Sequence, residues 1–202
     1  MILNNTVMIE DVMRQIRLSE LTMVAGFGKS GKTDFVVEMA KCAVKEGKQK
    51  VLFFSLEHEK EELINKYIGR EELFDIDDTP RIVVTEVENK CRACVQNYGL
   101  KMVFIDYFLL MEPSVPRCSR VEELKANIEE LNVIAKELNI AIVVVAPLIH
   151  YGKCRRPDVF DLREYGFPIE DMVDLILFIW REAGTYEITI YHSRADGGRS
   201  VV

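Results

Sequence analysis

The hydrophobic positions of the chain fall into short continuous runs that alternate with longer stretches of helical spacing. The runs are β-branched or otherwise apolar at most positions, and they cover residues 21–25, 50–55, 81–85, 101–105 and 140–145. Runs without polar alternation are typical of parallel strands that are buried on both faces of a sheet. We therefore expect these runs to form a central, mainly parallel sheet.

The clearest helical stretch begins after Ser119, where Glu122 stands at the position expected of a capping box. Apolar residues then recur at spacings of three and four up to Leu138. A shorter segment near residues 10–17 predicts a lead-in helix. Because strands and helices alternate, the chain is expected to form an α/β fold with right-handed crossovers.

The C-terminal part predicts additional strands that are antiparallel. Residues 175–181 and 186–192 have strand character, and Asp196-Gly197-Gly198 predicts a turn before a last short strand at residues 199–202. We therefore divide the chain into a lead-in helix, residues 1–18, and one α/β domain, residues 19–202.

Composition places the chain among ordinary soluble domains. Its 202 residues are 49% hydrophobic and 29% charged, which excludes a disordered tail or a fibrous repeat. The longest apolar run, residues 140–149, contains Pro147 and is much shorter than the ~20 residues of a membrane span. The N-terminus also lacks the pattern of a secretory signal. We expect a cytoplasmic protein with no membrane partner.

Net charge and cysteine content indicate which ligands the chain can bind. The formal net charge of −7 gives no general attraction to nucleic acid, so any such binding must come from a local basic cluster. The five cysteines include one C-x-x-C pair, Cys91 and Cys94, without a second pair at zinc-ligand spacing. This favours two thiols on a helix face over a metal or redox site.

The strongest motif is Gly26-Phe27-Gly28-Lys29-Ser30-Gly31-Lys32-Thr33, which follows a predicted strand and opens a predicted helix. It fits the P-loop pattern G-x-x-x-x-G-K-[ST] in the structural context that this pattern requires. Its glycines let the backbone N–H groups point at phosphate oxygens, and the helix N-terminus adds its dipole. Lys32 is expected to contact the β- and γ-phosphates of a nucleoside triphosphate, and Thr33 to offer its hydroxyl to Mg²⁺. The residues expected to bind nucleotide are Gly26, Gly28, Lys29, Ser30, Gly31, Lys32 and Thr33.

Two carboxylates complete the expected chemistry. Asp106 ends the apolar run 102–105, which is the form of a Walker B strand, and such a carboxylate binds Mg²⁺ across from a P-loop. Glu57 follows another predicted strand and is a candidate for orienting and deprotonating water. From spacing alone, Glu59 and Glu61 remain competitors for this role.

With these motifs, the chain resembles the ATPase domain of DnaB-type replicative helicases, in the RecA-like branch of P-loop proteins. The resemblance extends from about residue 21 to residue 202 and implies a RecA-like fold and ATP hydrolysis in DNA replication. It rests on the P-loop, on the segments 54–57 and 104–111, and on ordered matches at Arg156-Pro157, 161–164, 169–171 and 191–194. The match of Phe54-Ser55-Leu56-Glu57 favours Glu57 as the catalytic glutamate.

The resemblance also implies a hexameric ring with ATP between subunits and single-stranded DNA in the central channel. Arg194 would then act as an arginine finger on the ATP of the neighbouring subunit. A replication accessory protein is a further possible partner. Basic residues in two loops are the candidates for DNA binding, namely Arg117 and Arg120 in one and Lys153, Arg155 and Arg156 in the other.

The chain departs from the family pattern in ways that leave an alternative open. The family usually has a Ser-Gln pair where this chain has Ala146-Pro147, and it commonly has Lys where this chain has His192. A proline side chain cannot sense the γ-phosphate by hydrogen bonding. The expected N-terminal collar domain is also not seen ahead of the lead-in helix. The alternative is a nucleotide-dependent binding or assembly module without unwinding activity.

Overall fold

The computed structural model describes residues 9–47, 50–65, 73–149, 155–182, 185–192 and 200–201. These residues form an eight-stranded sheet with helices on both faces. Three short 3₁₀ helices within the described ranges cover Phe108–Leu110, Val159–Tyr165 and Ile169–Asp171. The other elements are α1 (Ile9–Met13), β1 (Leu21–Phe27), α2 (Lys32–Gly47), β2 (Val51–Ser55), α3 (Lys60–Leu63), β3 (Phe74–Asp77), α4 (Val84–Tyr98), β4 (Met102–Asp106), α5 (Arg120–Leu138), β5 (Ala141–Leu148), β6 (Leu175–Glu182), β7 (Thr185–His192) and β8 (Ser200–Val201).

The strand order is β3-β2-β4-β5-β1-β6-β7-β8. Neighbouring strands from β3 to β6 are parallel, whereas β7 is antiparallel to β6, and β8 is antiparallel to β7. Every residue of β1 and β2 is buried, as expected of continuous apolar runs in the middle of a covered sheet. The expected α/β fold with a mainly parallel sheet and antiparallel C-terminal strands is confirmed.

The sheet separates two hydrophobic cores. Helices α1, α2 and α3 pack on one face, and α4 and α5 pack on the other. Because strand side chains alternate between faces, Met23 and Ala25 contribute to the core with α5, whereas Val24 contributes to the core with α2. Phe53 and Phe104 stack on the α2 face with ring centroids 5.9 Å apart. This two-sided burial fixes the strand ends from which the loops of the site leave.

The prediction of a strand at residues 81–85 is wrong. The strand beside β2 is β3, Phe74–Asp77, and the run Arg81-Ile82-Val83-Val84-Thr85 instead leads into α4. Val83 makes one parallel bridge to Glu112, and its N–H donates to the Glu86 carboxylate at 3.2 Å, which caps the helix. Ile82 and Val84 are buried in the core that contains α4 and α5, and Val83 is partly buried.

The other helix predictions hold with shifted ends. The lead-in helix ends at Met13, earlier than expected. Helix α5 begins as predicted, since the Ser119 hydroxyl accepts from the Glu122 N–H at 3.2 Å, while the Glu122 carboxylate accepts from the N–H of Cys118 at 3.1 Å. Cys91 and Cys94 lie buried on α4, which agrees with the expected helix-face thiols. Within the described ranges, no helix has the length and hydrophobicity needed to cross a membrane.

Candidate active site

The carboxyl ends of β1, β2, β4 and β5 meet at one edge of the sheet. Ser55 is in register with Asp106, and Gly26 is in register with Pro147. The Leu56 N–H donates to the Asp106 carbonyl at 2.7 Å, so the segment that leaves β2 stays beside the end of β4. Open α/β sheets bind their ligands at this edge.

The loop between β1 and α2 has the backbone shape of an anion-binding site. Lys29 has φ 63° and Gly31 has φ 84°, so the chain turns through the left-handed region twice within three residues. Such turns direct successive N–H groups into one concavity. The Ser30 N–H donates to the Phe27 carbonyl at 3.2 Å, and the Phe35 N–H to the Gly31 carbonyl at 2.9 Å, which joins the loop to the first turn of α2.

Gly26 is required by close packing. A Cβ atom at this position would lie 2.6 Å from the Ser30 hydroxyl oxygen and 2.7 Å from the backbone carbonyl oxygen of Ile179 in β6. By contrast, a Cβ atom at Gly28 would meet nothing within 4 Å. Gly26 and Gly28 therefore differ: Gly26 permits close contact with β6, and Gly28 faces open space.

We expect Gly26→Ala to lower the free energy of unfolding by about 1–3 kcal/mol, because the added methyl group overpacks a site bounded by backbone. Gly28→Ala is the matched control and should change stability by no more than about 0.5 kcal/mol. Denaturant unfolding of both variants measures the difference. Equal stabilities would contradict the packing of the loop against β6.

The Lys32 side chain folds back across the loop. Its ammonium group donates to the Phe27 carbonyl at 2.9 Å. Burial lowers the pKa of Lys32, while the nearby carboxylates of Asp106 and Glu57 raise it. The ammonium group therefore lies in the same cluster as both candidate carboxylates, at the mouth of the phosphate-binding loop.

Asp106 is almost fully buried, with a relative exposure of 2%. Burial raises the pKa of Asp106 to about 6, although a hydrogen bond from Thr33 and the charge of Lys32 lower it. Its Oδ1 atom is buried without a hydrogen-bond partner among the described residues. An unpartnered carboxylate oxygen beside a threonine hydroxyl is a hard oxygen donor set, which fits Mg²⁺.

The described residues contain no group of three or more His, Cys, Asp or Glu side chains that could hold a metal ion.

Glu57 lies just beyond β2 with its side chain 47% exposed, next to His58. The His58 Nε2 atom is 3.9 Å from the Glu57 carboxylate, and its Nδ1 atom is 3.3 Å from the Glu62 carboxylate. The Ser55 hydroxyl donates to the His58 carbonyl at 2.6 Å and fixes the turn. The carboxylate of Glu57 is thus held near Lys32 and Asp106 but remains accessible to water.

Four of the five basic residues predicted to bind DNA are among the described residues; these four are exposed, and several have partners in the chain. Arg120 donates to the carbonyls of Leu109 and Met111 and to the carboxylate of Glu123. Arg117 is exposed in the loop before α5.

The two described arginines of the second basic loop form three further ion pairs. Arg155 pairs with Asp158 and Asp161. Arg156 donates two hydrogen bonds to the Glu187 carboxylate. Lys153 and Arg194 lie outside the described residues. The DNA-binding role of these residues stays a prediction.

Sequence reasoning missed two side chains of this site. Burial and the charges of Glu57 and Asp106 raise the pKa of the Tyr107 hydroxyl, so Tyr107 belongs to the same electrostatic cluster. His58 lies between two glutamates in the turn after β2. Both residues directly follow a predicted site residue, and the spacing of His58 and Glu62, one helical turn, could have indicated their contact.

Comparisons with known proteins agree with the geometry. The family model described as the DnaB-like helicase C terminal domain matches residues 5–75 and 69–196. A probable replicative DNA helicase of Trieres chinensis is 31% identical over 199 residues, covering 81% of this chain and 44% of that protein. The replicative DNA helicase DnaB of Rickettsia bellii is 29% identical over 207 residues, covering 81% of this chain and 41% of that protein. The chain therefore spans less than half the length of these curated relatives.

Solved structures share the fold. One of them, described as an ATPase domain, superposes with a TM-score of 0.79 at 23% identity, over 92% of this chain and 81% of that one. A DnaB-like replicative helicase, determined in a study of its interactions with primase, gives a TM-score of 0.75 at 21% identity, over 92% of this chain and 54% of that one. These similarities confirm the RecA-like fold. Since the family model covers most of the sequence, including the P-loop and the segments of Glu57 and Asp106, the chain belongs to the family of DnaB-like helicase C-terminal domains.

Proposed function

We propose that this chain is an ATP-hydrolysing motor domain that acts on single-stranded DNA during replication. The observation that carries the proposal is the unpartnered, buried oxygen of Asp106 beside Thr33 and Lys32. This carboxylate is costly to bury unless a ligand compensates for it. A magnesium-bound nucleotide on the neighbouring loop supplies that compensation.

Each residue has a separate role in the proposed reaction. The loop N–H groups and Lys32 bind the phosphates and stabilise the charge that develops on the γ-phosphoryl group. Thr33 and Asp106 would hold Mg²⁺, which would supply neutralisation of the phosphate charge. Glu57 orients the attacking water and accepts its proton. The exposure of the Glu57 side chain leaves room for that water.

We further propose that the motor works as a homo-oligomer, a hexameric ring with ATP between subunits. The phosphate-binding loop lies at the carboxyl ends of the parallel strands. Arg194 from a neighbouring subunit would complete the site at this loop. Single-stranded DNA would bind in the channel, where Arg117, Arg120, Lys153, Arg155 and Arg156 supply positive charge. A cytoplasmic location and an accessory replication protein as partner belong to the same proposal.

ATPase measurements test this function. Turnover per chain should rise with protein concentration, because assembly completes the site, and should rise again on addition of oligo-dT. The DNA effect should weaken as salt increases, since phosphate contacts release counterions. Turnover that is independent of both protein concentration and oligo-dT would contradict the motor.

One observation favours the second candidate, a nucleotide-dependent assembly module that does not unwind DNA. Strand β5 continues through Pro147, which is in register with Gly26 of the phosphate-binding loop. A side chain without hydrogen-bonding groups therefore stands beside the first residue of the P-loop motif. A strand-displacement assay separates the candidates, because unwinding of a forked duplex with ATP would eliminate the module.

A further inference from the structure

The 3₁₀ helix Val159–Tyr165 presents an aromatic side chain to solvent. Phe160 is 61% exposed, the largest fraction among the exposed large hydrophobic side chains of the described ranges. Single exposed hydrophobic residues are common on protein surfaces, so the exposure alone has no functional meaning. The exposure of Phe160 becomes informative because of the way in which the short helix is anchored to the rest of the fold.

One row of side chains anchors the helix to the core. Residues three apart lie above one another in a 3₁₀ helix. Leu162 and Tyr165 form such a row, and both are buried. The ring of Tyr165 lies 5.8 Å from that of Phe108, and its hydroxyl donates to the Pro147 carbonyl at 2.8 Å.

A second row ties the helix to the flanking chain. The Asp161 carboxylate accepts hydrogen bonds from the Asp158 N–H and from Arg155, both at 2.9 Å. The Glu164 carboxylate accepts from the Ile149 N–H at 2.8 Å. Two of the three rows are thus fixed, and the backbone that carries Phe160 is rigid.

The third row faces solvent and contains Phe160 and Arg163. The Arg163 guanidinium lies 4.6 Å from the centroid of the Phe160 ring, in the geometry of a cation–π contact. The contact orders the ring on the rigid helix. The guanidinium covers one face of the ring, and much of the rest of the ring is exposed to solvent next to this positive charge.

This surface lies between the described parts of the two basic loops. Arg155 and Arg156 stand a few residues before the helix, where Asp158, Asp161 and Glu187 hold their guanidinium groups in place. At its other end, Gly166 packs on the first turn of α5, where a Cβ atom would lie 3.1 Å from the Val121 side chain. The loop with Arg117 leads into that turn.

We propose that Phe160 is a stacking platform for a base of single-stranded DNA, an inference that rests on the proposed function. Every base has a π-face, so stacking on an aromatic side chain tolerates any sequence. An arginine that binds phosphate binds equally well whether or not the nucleotide carries a base. Phe160 would add a stacking contact with the base, and the anchored helix lowers the entropic cost of forming that contact.

The test compares two single-stranded 20-mers with the same phosphates, oligo-dT and an abasic oligomer. Affinities of the full chain, with a non-hydrolysable ATP analogue, are measured by fluorescence anisotropy. Phe160→Ala should bind oligo-dT roughly 5- to 100-fold more weakly, as expected for loss of one stacked base, and should bind the abasic oligomer like the unchanged protein. Phe160→Trp should retain the affinity for oligo-dT.

Val133→Ala is the matched control, since Val133 is also exposed but lies on α5 next to Glu88 of α4. Equal losses for both oligomers, or no loss for oligo-dT, would overturn the stacking role of Phe160 while leaving DNA binding intact. A changed molecular mass of Phe160→Ala would assign the ring to a contact between copies and also overturn it. If the unchanged protein bound neither oligomer, the proposed function itself would fail.

Discussion

Glu57→Gln is expected to lower ATP turnover by roughly 10²- to 10⁴-fold, the usual contribution of a positioned general base. The amide keeps the size of the side chain but cannot accept a proton from water. Because the Glu57 side chain is 47% exposed, its replacement should leave the fold intact. Steady-state ATPase rates measure the loss, and binding of a fluorescent ATP analogue should remain close to that of the unchanged protein.

Glu61→Gln is the control for this experiment. Glu61 is an exposed carboxylate in the first turn of α3, and sequence spacing alone does not separate it from Glu57. The structure provides a distinction, because Lys32 and Asp106 both interact electrostatically with Glu57. Turnover of Glu61→Gln should therefore stay near that of the unchanged protein. An equal loss in both variants, or near-normal turnover of Glu57→Gln, would remove Glu57 from the role of base.

The phosphate-binding loop and Asp106 could be predicted because their signals are local. Eight consecutive residues, 26–33, carry the loop, and a buried strand that ends in a carboxylate carries Asp106. Both depend only on neighbours in sequence and on the rule that parallel strands end at one edge. The fold was predictable for the same reason, since each of the strands β1, β2, β4 and β5 is a continuous apolar run.

Strand β3 could not be predicted because its burial differs from that of the other parallel strands. Its sequence, Phe74–Asp77, alternates apolar and acidic residues, as an edge strand does, and it is too short for a clear pattern. The strand was predicted at residues 81–85 instead, because that run contains more β-branched residues. There, the Glu86 cap and the burial of Val84 and Val87 favour a helix over intrinsic β-propensity.

Side-chain partners distant in sequence were also beyond prediction. Arg156 pairs with Glu187 across 31 positions, and no sequence pattern indicates that pairing. The close contact between Gly26 and the Ile179 carbonyl likewise depends on β6 lying beside β1. Such contacts follow from strand order, which spacing along the chain does not determine.

Arg194→Ala is expected to reduce turnover by about 10³- to 10⁵-fold if the arginine completes the site of a neighbouring subunit. Lys32→Ala should also be inactive, because it removes the ammonium group from the phosphates. When the two variants are mixed at equal amounts, about a quarter of the sites should combine an intact Lys32 with an intact Arg194, for random mixing in a symmetric ring. ATPase activity of the mixture should recover accordingly. Mixing Lys32→Ala with the double variant Lys32→Ala/Arg194→Ala is the control and should recover none.

Sheet topology separates the end of β7 from the phosphate-binding loop of the same chain. His192, at the end of β7, is in register with Leu175, and Leu175 is in register with Thr22 near the start of β1. The phosphate-binding loop leaves the opposite end of β1, so it lies about 16 Å further along the strand direction. The two residues from His192 to Arg194 span at most about 7 Å, which does not bridge that separation within one chain. If verified mixed oligomers showed no recovery, a shared site would be excluded, and the same topology would then exclude Arg194 from catalysis altogether.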